Sequence, residues 1–236
     1  MTSIKDKYHV QSIKKQLTYD WLLNKHYAHR LPSISYAFGL FNNENVLCGV
    51  CTYGMPPLTS VSFICDDIRM NDILELNRLC INDNSEKNVG SYFVSNTIKM
   101  LSGNIILLSY ADKNQNHHGY IYQATNWLYT GLGSIGTKTY IINNKEIHSR
   151  HLNKLEYFIP QNLKYNESIT LDQNFKNIGG EVIKNLPKYR YIMIIGDKRF
   201  KRTIKNKLKL EILSYPKGDN KRYDASYKPL IQAEQF

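Results

Sequence analysis

The segment SYADKNQNHHGYIYQATNWLYTG, Ser109–Gly131, crowds an acid, two adjacent histidines, four tyrosines and a tryptophan behind the apolar run Ile105–Leu108. Such a run reads as a buried strand, and in open α/β sheets ligands collect beyond the carboxyl ends of strands. Asp112 sits at that end and is a candidate for proton transfer. Capping a turn is the other common use of an aspartate there. A helix is expected from about His118 to Thr130, ended by Gly131. On it Tyr122, Asn126 and Tyr129 share one face, while Ile121, Ala124 and Leu128 share another and read as core. With Tyr110 nearby, the polar-aromatic face suits a planar substrate. Ordinary half-buried packing is the alternative.

Two further groups could serve the same chemistry. In ELNRLCI, alternation places Leu76, Arg78 and Cys80 on one face of a strand and Asn77, Leu79 and Ile81 on the other. An arginine inside an apolar strand is costly unless paired. Arg78 therefore either pairs with Glu75 or Asp112, or clamps a substrate anion. In SEKNVGSYF, a glycine-containing turn opens a helix, and Lys87, Asn88, Gly90 and Ser91 could present backbone N–H groups to an anion. A plain helix start is the competing reading.

Metal ligation has weaker spacing. HYAH carries His26 and His29, and HSRH carries His148 and His151, each at i, i+3. His117 and His118 are adjacent, and adjacent side chains rarely converge on one ion. No zinc-finger or zincin pattern is present. His26, His29, His117 and His118 remain candidate ligands. Cys48 and Cys51 are three apart within a strand, so they are expected on opposite faces. With Cys65 and Cys80 they read as reduced core thiols of a cytoplasmic protein.

The chain is basic. Lys and Arg outnumber Asp and Glu by 31 to 20, a formal net charge of +11. Seven of the twelve residues Lys198–Lys209 are basic, among them Lys198, Arg199, Lys201, Arg202 and Lys205. Phe200, Ile204 and Leu208 form an apolar stripe through them, so this is a short basic amphipathic helix. Lys217, Lys221 and Arg222 follow, with Tyr215 and Tyr223 interleaved, which is a phosphate-binding footprint. A solvated helix face, or an AT-rich gene inflating Lys and Asn, would give the same composition. No apolar run approaches the roughly 20 residues of a membrane helix, and MTSIKDKYHV has no signal-peptide core.

The elements that must position these residues follow from pattern. Thr18 is expected to cap a short helix carrying Trp21 and Leu22, stopped near Pro32. Ser35–Phe41 and Val46–Gly54 flank NNEN as a hairpin, and Ile73–Ile81 is a strand. A helix is expected over about 87–101, with Phe93, Thr97, Met100 and Leu101 inward. Strands follow over 104–110, 137–143 and 188–196. Residues 160–186 read as a loop or insertion, and 197–236 as a basic C-terminal segment. The sum is one α/β (α+β) domain over 1–236, a mixed central sheet flanked by helices.

HYAHRLPS, YAFGLFNNENVLCGVCTYGMPP, ELNRLCI, the Ser109–Gly131 segment and LPKYRYIMIIG…YPK occur in that order, and together the chain resembles the Mom family of phage DNA-modification proteins from about His26 to Lys217. The family is similar to the GNAT acyltransferase fold. It converts adenine in DNA to N6-(carbamoylmethyl)adenine, which shields phage DNA from restriction. The resemblance implies functional roles for Arg78, Ser91, Asp112 and Tyr122. It also implies double-stranded DNA as partner, with the adenine flipped out, in the cytoplasm of a bacterial host. A donor that is acyl- or glycine-derived is implied, acetyl-CoA or a glycyl compound among the options, with room for a metal such as iron. A dimer stays open. The chain departs from the usual GNAT turn in placing Tyr92 two residues after Gly90, where a bulky ring would obstruct backbone approach by coenzyme A. A GNAT-like acetyltransferase of another substrate and a non-catalytic DNA-binding protein are the alternative classes.

Overall fold

The alternation of the first apolar runs builds the hairpin. In β2 (Tyr36–Asn42) Phe38 and Leu40 enter one core cluster while Ala37 and Phe41 enter another. In β3 (Leu47–Gly54) Cys51 and Tyr53 separate from Leu47 and Val50 in the same way. Asn42 Oδ1 accepts the amides of Glu44 and Val46 across the turn. The computed structural model describes residues 3–57, 64–65, 68–69, 72–83, 85–133, 138–148, 152, 158 and 164–218. His151, Lys221, Arg222 and Tyr223 lie outside the described residues, as do residues 219–236 of the C-terminal segment as a whole.

Among the described residues seven strands form the main sheet. Across it they run β1 (Tyr8–Ser12), β2, β3, β4 (Ile73–Ile81), β5 (Ile105–Ala111), β10 (Tyr189–Ile195) and β6 (Leu128–Leu132). The edge strand β1 lies within a stretch that has little apolar pattern to announce it. Among the described residues β4 and β5 pair in parallel and the other pairings in this sheet are antiparallel. A three-stranded sheet of β8 (Lys145–His148), β7 (Lys138–Ile142) and β9 (Glu181–Lys184) stands apart. The mixed α/β architecture is as the sequence pattern predicts.

One face of the main sheet is covered by α2 (Val89–Met100), which follows the one-turn α1 (Ile4–Lys7), and by α3 (Tyr120–Ala124). Val89, Phe93 and Val94 pack there against Leu74, Leu76 and Leu107. Met100, expected inward, is exposed, while Leu101 is buried. The other face carries two clusters. Trp21 and Leu22, on a π-helical turn Trp21–Lys25, cover Val50 and Cys80. At the other end Ile204, on the basic helix α5 (Lys198–Lys207), covers Ile73, Ile106 and Ile192. The turn carrying Trp21 is not capped by Thr18, which ends the preceding 3-10 turn and is fully buried with its hydroxyl on Lys15 O.

Three other expectations change. The helix over 118–130 is only five residues long. Asn126 takes a φ of 61°, the amide of Trp127 returns to Tyr122 O and that of Asn126 to Gln123 O. This closes α3 with Asn126 in the left-handed C-terminal position, and the chain leaves as β6. Residues 160–186 contain a helix, α4 (Leu171–Asn177), and strand β9. Phe175 packs edge-on against Tyr140 in a satellite core with Leu152 and Phe158. Cys48 and Cys51 do not face opposite sides. The register shift between Leu40 and Phe41 makes Cys48 the extra residue of β3, and both thiols border the cluster beneath α2. All four cysteines are free, and Cys51 is pushed up to about 12 by burial.

Candidate active site

The parallel ladder between β4 and β5 is short. It pairs Ile73 with Ile106, Leu74 with Leu107 and Glu75 with Leu108, and then stops, although β4 runs on to Ile81 and β5 to Ala111. The two strands part toward their carboxyl ends. The next acceptor on β4, Leu76 O, lies 2.8 Å from Ser109 Oγ, so a side chain of β5 takes over from the ladder. Ser109 Oγ is also 2.7 Å from the Tyr122 hydroxyl. A carbonyl can only accept, so the one serine proton goes to Leu76 O and the phenol of Tyr122 donates to Ser109. The wedge opens into a cavity of about 580 Å³.

A bulge in β4 decides which side chains enter it. Arg78 pairs with Thr52 and Leu76 with Tyr53, leaving Asn77 as the extra residue. Its side chain locks the bulge, accepting from Thr52 Oγ1 at 2.6 Å and donating to Ser33 O at 2.7 Å. The bulge flips the alternation. Leu76 faces α2, whereas Arg78 and Cys80 face the other side, which corrects the single face expected for the three. Glu75 and Arg78, three apart, thereby share a face. Both line the cavity. Bulges commonly re-aim side chains next to active sites.

Arg78 donates through Nη1 to Asn77 O at 2.6 Å, and its buried Nε has no partner. No ion pair joins it to Glu75 or Asp112 among the described residues. Of the two uses the sequence leaves open, this geometry suits the anion clamp. Arg30, Lys87 and Lys188 add positive charge to the lining. Glu75 is a half-buried acid of the wedge, as is Asp83, and loss of solvent raises the Glu75 carboxyl above its ordinary value despite nearby Arg78, Lys188 and Arg30.

Asp112 stands differently from its expected role. It is buried, and it does not line the cavity. One oxygen is 2.6 Å from Lys188 Nζ and the other accepts the amide of Asn114 at 2.9 Å. It caps a turn and holds Lys188, which does line the cavity. Tyr122 and Tyr110 are in the lining, and burial pushes the Tyr122 phenol well up, so it stays protonated. Asn126 and Tyr129 are not brought there. Tyr129 is buried on β6 against Tyr189 and Tyr191.

The start of α2 brings Lys87, Asn88, Gly90 and Ser91 to the same cavity, with no side chain capping the helix. Ser91 Oγ turns back onto Asn88 O at 3.0 Å. Gly90 has a packing reason, since a Cβ there would meet Ile121 Cδ1 at 3.0 Å. Tyr92 does not obstruct the turn. Its phenol leaves the site and donates to Tyr8 O at 2.9 Å.

The histidines do not converge. His26 stacks on Tyr27 with ring centroids 4.4 Å apart, and His117 meets Tyr27 edge-on at 6.0 Å, all three in the lining. His26 Nδ1 accepts the amide of Ala28 at 3.1 Å, so the neutral ring carries its proton on Nε2. Burial and Arg78 lower its pKa to about 3, keeping it neutral. His29 lies on Leu23 O and His118 tilts against Tyr189. Among the described residues no three His, Cys, Asp or Glu side chains form a metal-sized group.

The basic helix is placed elsewhere. Asp197 caps it and contacts Asn104, which precedes β5, so α5 begins at the amino end of the strand whose carboxyl end forms the wedge. Lys198, Arg199, Lys201, Arg202 and Lys205 are exposed there. Sequence reasoning missed Glu75 as a site residue, and also Arg30 and Lys188. Nothing local marks them, because the bulge and the parting of two strands bring them together.

A mixed sheet whose parallel pair parts into a tyrosine-lined wedge carrying four cationic and three acidic side chains defines an α/β protein with a candidate site between two strands. The Mom protein family model matches residues 7–217, most of the chain, and the chain belongs to that family. Membership points to a transferase of phage DNA modification, with DNA as substrate. No curated protein matches the chain. One similar solved structure, described as histone acetyltransferase HPA2 and related acetyltransferase from Corynebacterium glutamicum, is 9% identical. The match covers 79% of this chain and 95% of that one, with a TM-score of 0.39. No helix of the described residues is long and apolar enough to cross a membrane.

Proposed function

We propose that the wedge receives an adenine flipped out of double-stranded DNA and that the chain converts it to N6-(carbamoylmethyl)adenine or a related N6 adduct, protecting the DNA from restriction. The observation that supports this most is the half-buried Arg78 without a carboxylate partner, held at the parting of β4 and β5 beside Tyr122 in a protein of the Mom family. The reacting edge of adenine is paired in a duplex, so the base must leave the stack. Tyr110 and Tyr27 offer it aromatic faces, and the Nε2–H of His26 is a fixed donor.

The uncapped start of α2, with Lys87, fits the anionic part of an acyl- or glycine-derived donor. Arg78 and Ser91 position it, and Tyr122 holds the strand opening through Ser109. Asp112 acts through Lys188, keeping the ammonium over the site. Simple acyl transfer would leave a carbonyl on N6, whereas the proposed product carries a CH₂ there. A glycine-derived amine displacing the exocyclic nitrogen meets that requirement.

Cells expressing the chain and fed glycine labelled at nitrogen test this. Their plasmid DNA is expected to resist cleavage at adenine-containing restriction sites and to carry the label in the modified base. Modified adenine without label would refute displacement, and transfer from a labelled acetyl donor in the absence of DNA would favour an acetyltransferase of another substrate.

A further inference from the structure

Glu75 has no assigned use, and its surroundings are unlike those of a structural carboxylate. It sits at the last rung of the parallel ladder, opposite Leu108, where the strands part. The bulge at Asn77 turns it to the same side as Arg78. It lines the cavity, yet no ion pair or hydrogen bond holds its carboxylate among the described residues. The charged groups facing it are Arg78 on its own strand, Arg30 beyond the π-helical turn and Lys188 ahead of β10, and all three are cationic. The titratable groups kept neutral around the same space are His26, Tyr27 and Tyr122, each uncharged through burial. The other acids here are already committed: Asp112 to Lys188 and Asn114, and, in the cavity lining, Asp83 to Lys25 and Glu86 to Lys7.

We infer that Glu75 is the proton-transfer group of the wedge, acting on the nitrogens at C6 of the flipped adenine; this rests on the function proposed above. In the displacement of ammonia by a primary amine, the amine lone pair forms the new bond to C6 as the C6=N1 π pair moves onto N1, and that pair returns to C6 when the leaving group departs. Its nitrogen then carries one proton too many, and the carboxylate of Glu75 takes it, the N–H electrons staying on nitrogen. The exocyclic nitrogen leaves with the electron pair of its C6–N bond and takes that proton, departing as ammonia. Glu75 ends ionised as it began, and no oxidant or reductant is needed. A carboxyl held above its usual range by loss of solvent is suited to passing a proton in both directions. Arg78 alongside can hold a carbonyl oxygen or phosphate of the reactants without carrying the proton.

The test compares wild type, Glu75→Gln and Glu75→Asp by mass spectrometry of nucleosides from plasmid DNA of expressing cells. Thermal melting and DNA filter binding on each purified chain accompany it. Glu75→Gln is expected to lose modified adenine by at least about 100-fold, while remaining folded and binding duplex DNA like wild type. Glu75→Asp is expected to keep a measurable part of the activity, since it retains the ionisable group. Wild-type modification by a folded Glu75→Gln chain would overturn the role of Glu75 while leaving the proposed function standing. If Glu75→Gln misfolds, a folded Glu75→Asp chain with no activity and intact DNA binding would overturn proton transfer as its role. Absence of modified adenine with wild type would instead remove the proposed function itself.

Discussion

At the residue scale, the site turns on three charged groups in different states of pairing. Arg78 and Glu75 are half-buried and neither makes a contact ion pair, though Arg78, Arg30 and Lys188 lie near Glu75, while Asp112 is buried and paired. For Glu75 the consequence for stability has a definite sign. Its folded-state pKa lies above its unfolded value, so its contribution is full below the unfolded pKa and is lost as pH rises through the folded one. Glu75→Gln is therefore expected to melt higher than wild type at pH 7, and the gain should disappear as pH falls into the ordinary glutamate range. Melting curves at several pH values check this, and an unchanged difference across pH would contradict it. Replacing Asp112 by Ala strips a turn cap and leaves Lys188 unpaired. Lys188 is 38% exposed, so solvent screens part of that loss. A cost of about 1–2 kcal/mol is expected, read from denaturant midpoints. Arg78, Ser91 and Tyr122 were legible in the sequence because each sits in a motif with a recognisable setting. Glu75 was not, since strand alternation alone puts it and Arg78 on opposite faces, and only the bulge reverses that.

Elements explain why those residues meet. Strongly patterned segments behave as written: the hairpin, β4, β5, α2 and β10 all appear within a residue or two of their expected bounds. The helix after β5 does not. Ile121, Ala124 and Leu128 imitate a helical stripe, but Asn126 at positive φ ends it, and Trp127 and Tyr129 enter the core as the chain leaves toward β6. Period alone could not separate a short helix plus a strand from one longer helix. The loop before α3 depends on Gly119, whose φ is 79° and where a Cβ would stand 2.4 Å from the Tyr191 ring. Gly119→Ala is expected to cost about 2–4 kcal/mol, from strain and overpacking together. It should also displace Tyr122, so modification falls with stability. A neutral melt for this variant would show that the loop tolerates another path. Gly90→Ala is milder in expectation, since the atom it meets is the tip of Ile121, and helix propensity offsets part of the clash.

Across the whole molecule, the wedge and the basic helix lie at opposite ends of β5. Seven residues of strand separate them, roughly 20 Å at 3.3 Å per residue. At about 3.4 Å per base pair that distance is roughly six base pairs of duplex, so α5 would hold flanking DNA while the wedge takes the base. Composition fitted a polyanionic partner and an AT-rich gene equally, and it could not say where on the fold the charge would sit. Replacing Lys198, Arg199, Lys201, Arg202 and Lys205 by Ala is expected to weaken duplex binding and flatten its dependence on salt, by about 0.9 in slope for each phosphate no longer neutralised. An unchanged slope would place α5 outside the DNA interface. The central claim, that the wedge modifies adenine in DNA, is tested most directly by mass spectrometry of nucleosides from DNA of cells expressing the wild-type chain or Arg78→Ala. A heavier deoxyadenosine present with the first and absent with the second is the expected result. Unmodified deoxyadenosine with both, or equal modification with both, would contradict the account.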